Sequence, residues 1–356
     1  MQFCSMEMVE DAKWMNRCLD LAEKGRPSAF PNPLVGCVIV RDGQLLGEGF
    51  HHHAGGPHAE VVAVRQGLLR AGFPISPGQL MHQGLNEEEK IRARSLYSGA
   101  TAYVSLEPCA HHGKTPPCAQ MLADIGLHRV VVATSDPFPA VAGKGLVLLR
   151  NAGIEVVCPF EPQKAILQNR CFFNHVLSER PYVILKWAES SDGFVDQPEQ
   201  TSPVQISGPK AKQWLHLWRT EVQAIGIGKS TWLRDEPQLT ARWMSGNQPQ
   251  AFVVSKAKLD LPKHWKQFAN IDEVLDHGYQ SQWTQILIEG GPETHRRWIR
   301  SGSWDEIRVF KSHMPLGAGL PAAAIPEHAV LLHDHPLDAD HYFQYLNPHA
   351  PWYSLL

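Results

Sequence analysis

The 356-residue chain predicts an α/β protein built from two domains. A chain of this length exceeds the usual size of one domain, which is about 150 residues. In both halves, short strand-like apolar runs alternate with helix-like stretches, the pattern of layered α/β folds. The alternation pauses at a helical stretch that ends near Arg180-Pro181 and then restarts. We therefore expect a first domain over residues 1–160, a connector over 161–180 and a second domain over 181–356.

The first domain is predicted to be a set of strands that alternate with helices. Apolar residues at helical spacing stop at Gly25, and Asp42-Gly43 between two apolar runs is a hairpin signal. Residues 73–98 are polar and carry the acidic cluster Glu87–Glu89, so we expect an irregular insertion there. The predicted helices cover residues 9–24, 58–70, 117–125 and 143–152. The predicted strands cover residues 37–40, 44–50, 101–106, 129–134 and 154–158.

The second domain repeats the alternation without repeating the sequence. Its apolar runs are bounded by turn residues, as strands usually are. The predicted strands cover residues 182–186, 224–227, 251–254, 285–289 and 306–310. Helices are predicted over residues 209–219 and 293–301, and a second layered α/β domain follows from this order.

The amino-acid composition limits the classes of partner that this protein can bind. Lysine and arginine number 33 against 36 aspartates and glutamates, a formal charge of −3, so the basic excess of non-specific nucleic-acid binding is missing. No apolar window reaches the length of a membrane span or a signal peptide. Seven cysteines are spread thinly, which favours a reducing compartment over a disulfide framework. We expect a cytoplasmic protein that binds a small molecule, and neither nucleic acid nor a membrane.

One group of residues has the chemistry of a zinc centre. His58 starts a predicted helix, Cys109 ends a predicted strand, and Cys118 follows eight residues later. One imidazole and two thiolates leave the fourth tetrahedral position of zinc open, as in catalytic sites. Glu60 can lie beside that position and move a proton. The alternative is a buried thiol pair, or a structural zinc site closed by a fourth ligand such as His111.

Two glycine patterns in the second half bear on nucleotide binding. The run from Gly226 to Ser230 ends in GKS, but Gln223 stands where a P-loop requires glycine, so the pattern excludes an NTPase of that class. The run ILIEGGP breaks at Gly290-Gly291 before a predicted helix. Glycines there let backbone N–H groups approach a phosphate, although a plain strand-to-helix turn would look the same.

Longer motifs carry a family resemblance. The segments PNPLVGCVIV, GEGFHHHAGGPHAE and SLEPCAHHGKTPPC resemble the cytidine-deaminase-like superfamily, and within it the deaminase half of the bifunctional riboflavin-biosynthesis deaminase/reductase family. The segments RPYVILKWAESSDG, AIGIGKSTWLRDEPQLTAR and ILIEGGP resemble, in that order, the reductase half. The resemblance implies an α/β chain with an N-terminal cytidine-deaminase-like three-layer domain. A C-terminal dihydrofolate-reductase-like domain follows it.

The resemblance also implies roles for individual residues. In the first domain it makes Glu60 the proton shuttle and assigns one zinc ion to His58, Cys109 and Cys118. Asn32 would hydrogen-bond the edge of the pyrimidine ring. His111 and Lys114 would hold the substrate phosphate. The alternative for His111 and Lys114 is that they belong to a solvated polar loop and bind nothing. The residues implied to contact NADPH are Thr231, Asp235 and Gly291. Those implied to face the ribosyl-phosphate substrate are Lys186, Arg219, Leu239, Arg242 and Glu289. The run His51–His53 is expected to be a surface loop.

The implied activity belongs to riboflavin biosynthesis. Zinc-dependent hydrolysis would remove an amino group from 2,5-diamino-6-ribosylamino-pyrimidinone 5′-phosphate, and NADPH would then reduce the ribosyl side chain to ribityl. The alternative is a nucleotide deaminase with an inactive C-terminal domain, and a second rival is a zinc-stabilised binding protein without catalysis. Two-domain enzymes of this kind are often dimers, so we expect a homodimer.

Overall fold

The computed structural model describes residues 2–26, 28–80, 85–110, 117–138, 142–197 and 204–356. It divides the chain into two compact units. The first unit comprises Met1–Leu177 with Leu355–Leu356, and the second comprises Ser178–Ser354. Each unit has a sheet covered by helices, so the predicted α/β class holds in both. No helix in the described part of the chain has the length and apolar character needed to cross a bilayer.

The first unit opens on a long helix and alternates from there. In chain order its elements are α1 (Gln2–Glu23), β1 (Gly36–Arg41), β2 (Gln44–Phe50), α2 (Ala59–Arg70), α3 (Pro77–Leu80), α4 (Glu87–Tyr97), β3 (Thr101–Val104), α5 (Cys118–Asp124), β4 (Arg129–Val132), α6 (Lys144–Asn151), β5 (Glu155–Val157) and α7 (Pro162–Ser178). The predicted strands and helices are all present, and helix α1 begins earlier than its apolar pattern indicated.

The sheet of the first unit separates two helical layers. Its strand order is β2-β1-β3-β4-β5, with β1 antiparallel to both neighbours and β3, β4 and β5 parallel. Alternate residues of β1 face opposite sides of the sheet, as strand geometry requires. Val38 joins the core under α1, whereas Ile39 joins the core under α2. The result is the expected three-layer arrangement.

Residues 73–98 were expected to be irregular, and this is wrong for Glu87–Tyr97, which form helix α4. Asn86 caps α4, and Glu89, Ala93 and Tyr97 form its buried face at four-residue spacing. The Tyr97 hydroxyl donates to the Val64 carbonyl of α2 at 2.8 Å. The sequence does not reveal this buried face, because its three residues are separated by charged residues and one of the three is itself a glutamate. Helix α4 therefore packs against α2, the helix that carries Glu60 in its first turn.

The segment predicted as a connector is helix α7, which groups with the first unit up to Leu177. Ala165 enters the core beneath α1. The Asn169 amide bonds the backbone of Leu34 twice, receiving its N–H at 2.7 Å and donating to its carbonyl at 2.9 Å. These bonds fix the turn before β1, which contains Asn32.

The second unit is built on a larger sheet. In chain order its elements are β6 (Tyr182–Glu189), β7 (Phe194–Asp196), α8 (Pro209–Glu221), β8 (Ala224–Gly228), α9 (Lys229–Asp235), β9 (Gln250–Val254), β10 (Lys266–Phe268), α10 (Ile271–Gln280), β11 (Gln285–Ile288), α11 (Pro292–Ser301), β12 (Glu306–Ser312), β13 (Leu320–Pro321), β14 (Val330–Leu337), β15 (Asp340–Leu346) and a closing 3-10 helix (Pro351–Leu355). The predicted strands and helices are again present.

Six neighbouring strands of this sheet are parallel. The order is β10-β9-β8-β11-β6-β12-β15-β14, and β15 pairs antiparallel with both β12 and β14. The carboxyl ends of the parallel strands therefore meet along one edge, where open α/β sheets bind their ligands. The hairpin β14–β15 was not predicted, because its histidines resemble surface composition. Yet Tyr342, Gln344 and Leu346 of β15 are buried.

Candidate functional sites

Three predicted zinc ligands converge in the first unit. The Nδ1 atom of His58 lies 3.5 Å from Sγ of Cys109 and 3.3 Å from Sγ of Cys118. All three donor atoms lie within 4.8 Å of one another. Tetrahedral zinc with ordinary bond lengths would separate nitrogen and sulfur ligands by about 3.5 Å. The donor chemistry and the spacing therefore fit one zinc ion.

Element ends hold these ligands in place. His58 is the N-cap of α2 and has an extended backbone, and Cys118 is the first residue of α5. Cys109 lies beyond the end of β3, where its sulfur accepts the Cys118 N–H at 3.3 Å and its carbonyl accepts the Ala119 N–H at 3.1 Å. Contact with the Cys118 side chain is the largest cause that lowers the pKa of Cys109, to about 4. A thiolate is the form that binds metal.

Glu60 lies in the first turn of α2, two residues after the predicted ligand His58. Its side chain is 3% exposed and interacts with Cys118. Burial raises the pKa of Glu60, and the neighbouring His58 partly offsets this. A carboxyl group with a raised pKa can both accept and release a proton near neutrality, as the predicted proton shuttle requires.

Asn32 is held by a histidine that the sequence reasoning assigned to a surface loop. That expectation is wrong for His51, which is 4% exposed and lies edge-on to His58. Its Nδ1 lies 2.9 Å from the Pro57 carbonyl, so Nδ1 must donate there, and Nε2 is left to accept from Asn32 Nδ2 at 3.0 Å. The Asn32 amide is thereby oriented with its oxygen directed away from His51. A run of three histidines gave no signal that its first member is buried.

Glu107 is a second residue that the sequence reasoning missed. Its carboxylate accepts three backbone N–H groups, from Gly145 at 3.0 Å, Gly143 at 3.0 Å and Asp136 at 3.3 Å. A Cβ on Gly145 would lie only 2.0 Å from the Pro108 carbonyl. The start of α6 is therefore clamped against the turn that presents Cys109. An acidic residue at the end of a buried strand was the available signal.

The phosphate prediction falls outside the described residues. His111 and Lys114 belong to residues 111–116, which the structure does not describe, and so does His112. Elsewhere in the described chain, no second group of three or more histidine, cysteine or acidic side chains is arranged to hold a metal ion.

In the second unit, three predicted substrate residues gather around the carboxyl end of β11, with Lys186 on the neighbouring strand β6. Arg219 forms a two-point ion pair with Glu289, with both N···O distances 2.8 Å, and also donates to the Thr240 carbonyl at 2.9 Å. Half-buried Lys186 lies 5.7 Å from the centre of the Phe310 ring. Burial lowers the pKa of Lys186, while the charge of Glu289 opposes this. The three residues form a charged cluster beside the end of β11.

Two predicted cofactor residues border a cavity of about 900 Å³ at the same sheet edge. Thr231 Oγ1 accepts the Gly291 N–H at 3.2 Å. A Cβ on Gly228 would meet Thr294 Oγ1 at 2.2 Å, and one on Gly290 would meet the Thr294 Cβ at 2.6 Å. Only glycines let α11 begin this close to the ends of β8 and β11. The volume and the N-terminus of α11 suit a dinucleotide with its phosphates at the glycine turn.

Three other predicted reductase residues do not line this cavity. Asp235 ends α9, is exposed, and lies 3.9 Å from Arg234. Leu239 is buried with a left-handed backbone, φ 51°, and Arg242 is exposed near His216. None of Asp235, Leu239 and Arg242 borders the cavity. The structure thus brings together Thr231 and Gly291, and separately Lys186, Arg219 and Glu289.

Two family models match the chain. Residues 8–134 match the "Cytidine and deoxycytidylate deaminase zinc-binding region", and residues 181–330 match the "RibD C-terminal domain". The riboflavin biosynthesis protein RibD of Aquifex aeolicus is 32% identical over 343 residues, which cover 87% of this chain and 89% of that protein. The chain belongs to the RibD family. RibD of Escherichia coli is 41% identical over 254 residues, covering 71% of this chain and 62% of that protein.

Solved RibD structures are similar to this chain over nearly its whole length. The deaminase/reductase of Thermotoga maritima superposes with a TM-score of 0.80 at 27% identity, covering 96% of this chain and 99% of that one. Acinetobacter baumannii RibD gives 0.78 at 33% identity, with the same coverage. As a RibD protein, the chain is a bifunctional enzyme of riboflavin biosynthesis, a deaminase that uses zinc and a reductase that uses NADPH. Nothing in these comparisons supports a nucleotide deaminase with an inactive C-terminal domain.

Proposed function

We propose that His58, Cys109 and Cys118 hold the zinc ion of the deaminase and that Glu60 moves its protons. The observation that carries the proposal is the convergence of one imidazole nitrogen and two sulfurs beside a buried carboxyl group. Zinc at such a site acts as a Lewis acid that makes water a nucleophile near neutral pH. The substrate is the diaminopyrimidine ribosyl phosphate that the sequence resemblance implies.

Glu60 accounts for the proton movements of the hydrolysis. The reaction adds one water to the amine-bearing ring carbon, breaks the carbon–nitrogen bond, and yields a ring carbonyl and ammonia. Glu60 accepts a proton from the attacking water and delivers it to the departing amino group, so the carboxylate is regenerated, and the water's second proton ends on the adjacent ring nitrogen. Its burial keeps the proton within the site, because bulk water does not compete for it.

Asn32 orients the pyrimidine ring. His51 accepts from the Asn32 Nδ2 group, so the amide oxygen is set to accept hydrogen bonds from a ring N–H or amino group. We assign the substrate phosphate to His111 and Lys114, as the resemblance implies. Cationic side chains suit a phosphate through charge-assisted hydrogen bonds.

In the reductase, we propose that Thr231, Asp235 and Gly291 bind NADPH. The substrate residues are Lys186, Arg219, Leu239, Arg242 and Glu289. NADPH supplies the hydride that turns the ribosyl chain into ribityl. Arg219 and Arg242 pair with the substrate phosphate, and Lys186 donates hydrogen bonds to ribose oxygens. The charged cluster lies at the end of β11, next to the glycine turn, and this neighbourhood supports a reacting carbon beside the cofactor.

The zinc assignment is tested by removing and restoring the metal. Dialysis of the full chain against a chelator should abolish ammonia release from the diaminopyrimidine phosphate, and one equivalent of zinc per chain should restore it. NADPH oxidation with the deaminated intermediate should persist in the zinc-free protein. Ammonia release that survives complete zinc removal would contradict the assignment.

The proposal also covers the domain boundaries, the cellular compartment and the oligomeric state. We place the deaminase domain at residues 1–160, the connector at 161–180 and the reductase domain at 181–356. No disulfide joins any of the six cysteines with described side chains, which suits a reducing compartment such as the cytoplasm. Edge strand β14 exposes Val330 and Leu331, a surface that a second copy would cover in a homodimer. Light scattering on the purified chain tests the homodimer, and a monomeric mass would contradict it.

A further inference from the structure

Glu107 is a buried acidic residue whose carboxylate is bound by backbone N–H groups. It follows strand β3, lies two residues before the predicted ligand Cys109, and is 4% exposed. One carboxylate oxygen accepts the N–H groups of Asp136 at 3.3 Å and Gly143 at 3.0 Å. The other oxygen accepts the N–H of Gly145 at 3.0 Å. Three hydrogen bonds to backbone N–H groups therefore stabilise a negative charge inside the first unit.

Two of these N–H groups belong to the start of helix α6. Gly143 is the N-cap of α6 and has no side chain that could cap the helix, and Gly145 lies in its first turn. The first four N–H groups of a helix have no acceptor within that helix. Glu107 supplies an acceptor from another element, and its charge is favourable at a helix N-terminus. The carboxylate therefore fixes the place at which α6 begins.

The start of α6 lies directly against the peptide group that precedes Cys109. A Cβ on Gly145 would lie 2.0 Å from the Pro108 carbonyl oxygen and 3.3 Å from Glu107 Oε1. Only glycine fits at that distance, because a real Cβ does not approach a backbone oxygen so closely. Any shift of α6 toward β3 would thus push on the Pro108 carbonyl, and with it on Cys109.

Helix α6 also packs beside the second predicted cysteine ligand. Leu146 and Leu149 of α6 join the buried core that contains Cys118, the first residue of α5. The Cys118 N–H donates to the sulfur of Cys109 at 3.3 Å. The two sulfurs therefore owe their spacing to the same packing of α5 against α6, whereas His58 is held by the separate helix α2.

We propose that Glu107 is a positioning residue of the deaminase, which fixes Cys109 through the start of α6 and thereby sets the affinity of the chain for zinc. Outer-shell partners of metal ligands commonly contribute about ten- to a hundredfold to metal affinity. A glutamine at this position would turn its NH₂ group toward a backbone N–H that the carboxylate now accepts. The inference rests on the zinc ligands proposed above.

The test measures the zinc affinity of the full chain by competition with a chromophoric chelator, and separately the urea stability of the zinc-free chain. Glu107→Gln should weaken zinc binding by about ten- to a hundredfold. The matched control is Glu89→Gln, which removes another buried carboxylate from the same unit. That control should destabilise the zinc-free chain but leave zinc affinity within about twofold of wild type, because the two sites share no partner.

Gly145→Ala is a second variant, and it keeps every charge. Its Cβ must displace the Pro108 carbonyl, so zinc affinity should fall by at least about tenfold although Glu107 is intact. This variant decides the question if Glu107→Gln does not fold. Its control is Gly78→Ala, where the nearest atom to the new Cβ lies 3.9 Å away, and zinc affinity should match wild type.

Two results would overturn the inference. Wild-type zinc affinity in Glu107→Gln or in Gly145→Ala would show that the start of α6 does not set the position of Cys109. Equal weakening of zinc binding by Glu89→Gln would show that zinc affinity only follows the stability of the domain. In both cases the proposed ligands stand. If the wild-type chain bound no zinc, the ligand assignment itself would fail.

Discussion

Arg219 and Glu289 form a two-point ion pair that joins helix α8 to the end of strand β11, and each side chain is only 9% exposed. The pair has two consequences in the proposed site. The two parallel hydrogen bonds fix the orientation of the Arg219 guanidinium. If either partner is removed, the other is left as an unpaired buried charge. It therefore ties the stability of the reductase domain to residues that we assign to the substrate.

Replacing Glu289 with Gln should destabilise the reductase domain by about 3 kcal/mol, because Arg219 is left buried without its carboxylate. Urea unfolding of the full chain measures the change. The control is Asp338→Asn, which breaks the exposed pair with Lys210 and should cost less than about 1 kcal/mol. Equal effects of the two substitutions would mean that burial does not matter at this pair. Ammonia release should be unchanged in both variants.

Glu60→Gln should keep zinc and lose deamination. The amide cannot take up and release a proton, so ammonia release should fall by at least about a hundredfold. Metal analysis should still find one zinc per chain, because the proposed ligands His58, Cys109 and Cys118 are unchanged. NADPH oxidation with the deaminated intermediate serves as the control and should match wild type. Deamination that survives in this variant would contradict the proton-shuttle role.

Glu89→Gln should destabilise the deaminase domain. Glu89 is 1% exposed, pairs with buried Arg65 of α2 at 2.8 Å, and also accepts the Asn86 N–H that caps α4. Loss of its charge should cost about 3 kcal/mol in urea unfolding. Glu87→Gln is the matched control on the same helix, since Glu87 is 86% exposed and its ion pair within the described chain is with Lys90. A similar cost for both would contradict the account of α4 as a packed helix.

Helix α4 also shows what could not be predicted from the sequence. The convergence of His58, Cys109 and Cys118 close to Glu60 could be predicted, because short motifs place these residues at fixed distances from a helix start and a strand end. Glu89 could not, because nothing in a run of three glutamates marks the one that turns inward to meet Arg65. His51 was missed for the same reason within a run of histidines. A polar residue is buried where a partner distant in sequence meets it. A local sequence pattern does not show that partner.

The reductase domain should lose stability in mild acid through His295. This side chain is 1% exposed, donates from Nε2 toward the Ile288 carbonyl, and burial lowers its pKa from 6.5 to about 4. Between those values the unfolded chain binds a proton that the folded chain does not, so stability falls as pH drops. Between pH 7 and pH 5, this histidine should account for about 2 kcal/mol of the loss.

Unfolding of wild type and His295→Gln across this pH range checks the effect. The variant should lose less stability on acidification, whatever its stability at pH 7. The control is His264→Gln, which removes an exposed histidine, and its pH dependence should follow wild type. Parallel pH curves for wild type and His295→Gln would contradict the assignment.

The central claim is that one chain carries two working sites in sequence, and coupled turnover tests it most directly. The full chain with the diaminopyrimidine ribosyl phosphate should release one ammonia per substrate whether or not NADPH is present. With NADPH present, one NADPH should be oxidised for each ammonia released, and the product should carry a ribityl chain. Ammonia release with no NADPH oxidation, or NADPH oxidation with no ammonia, would contradict the account.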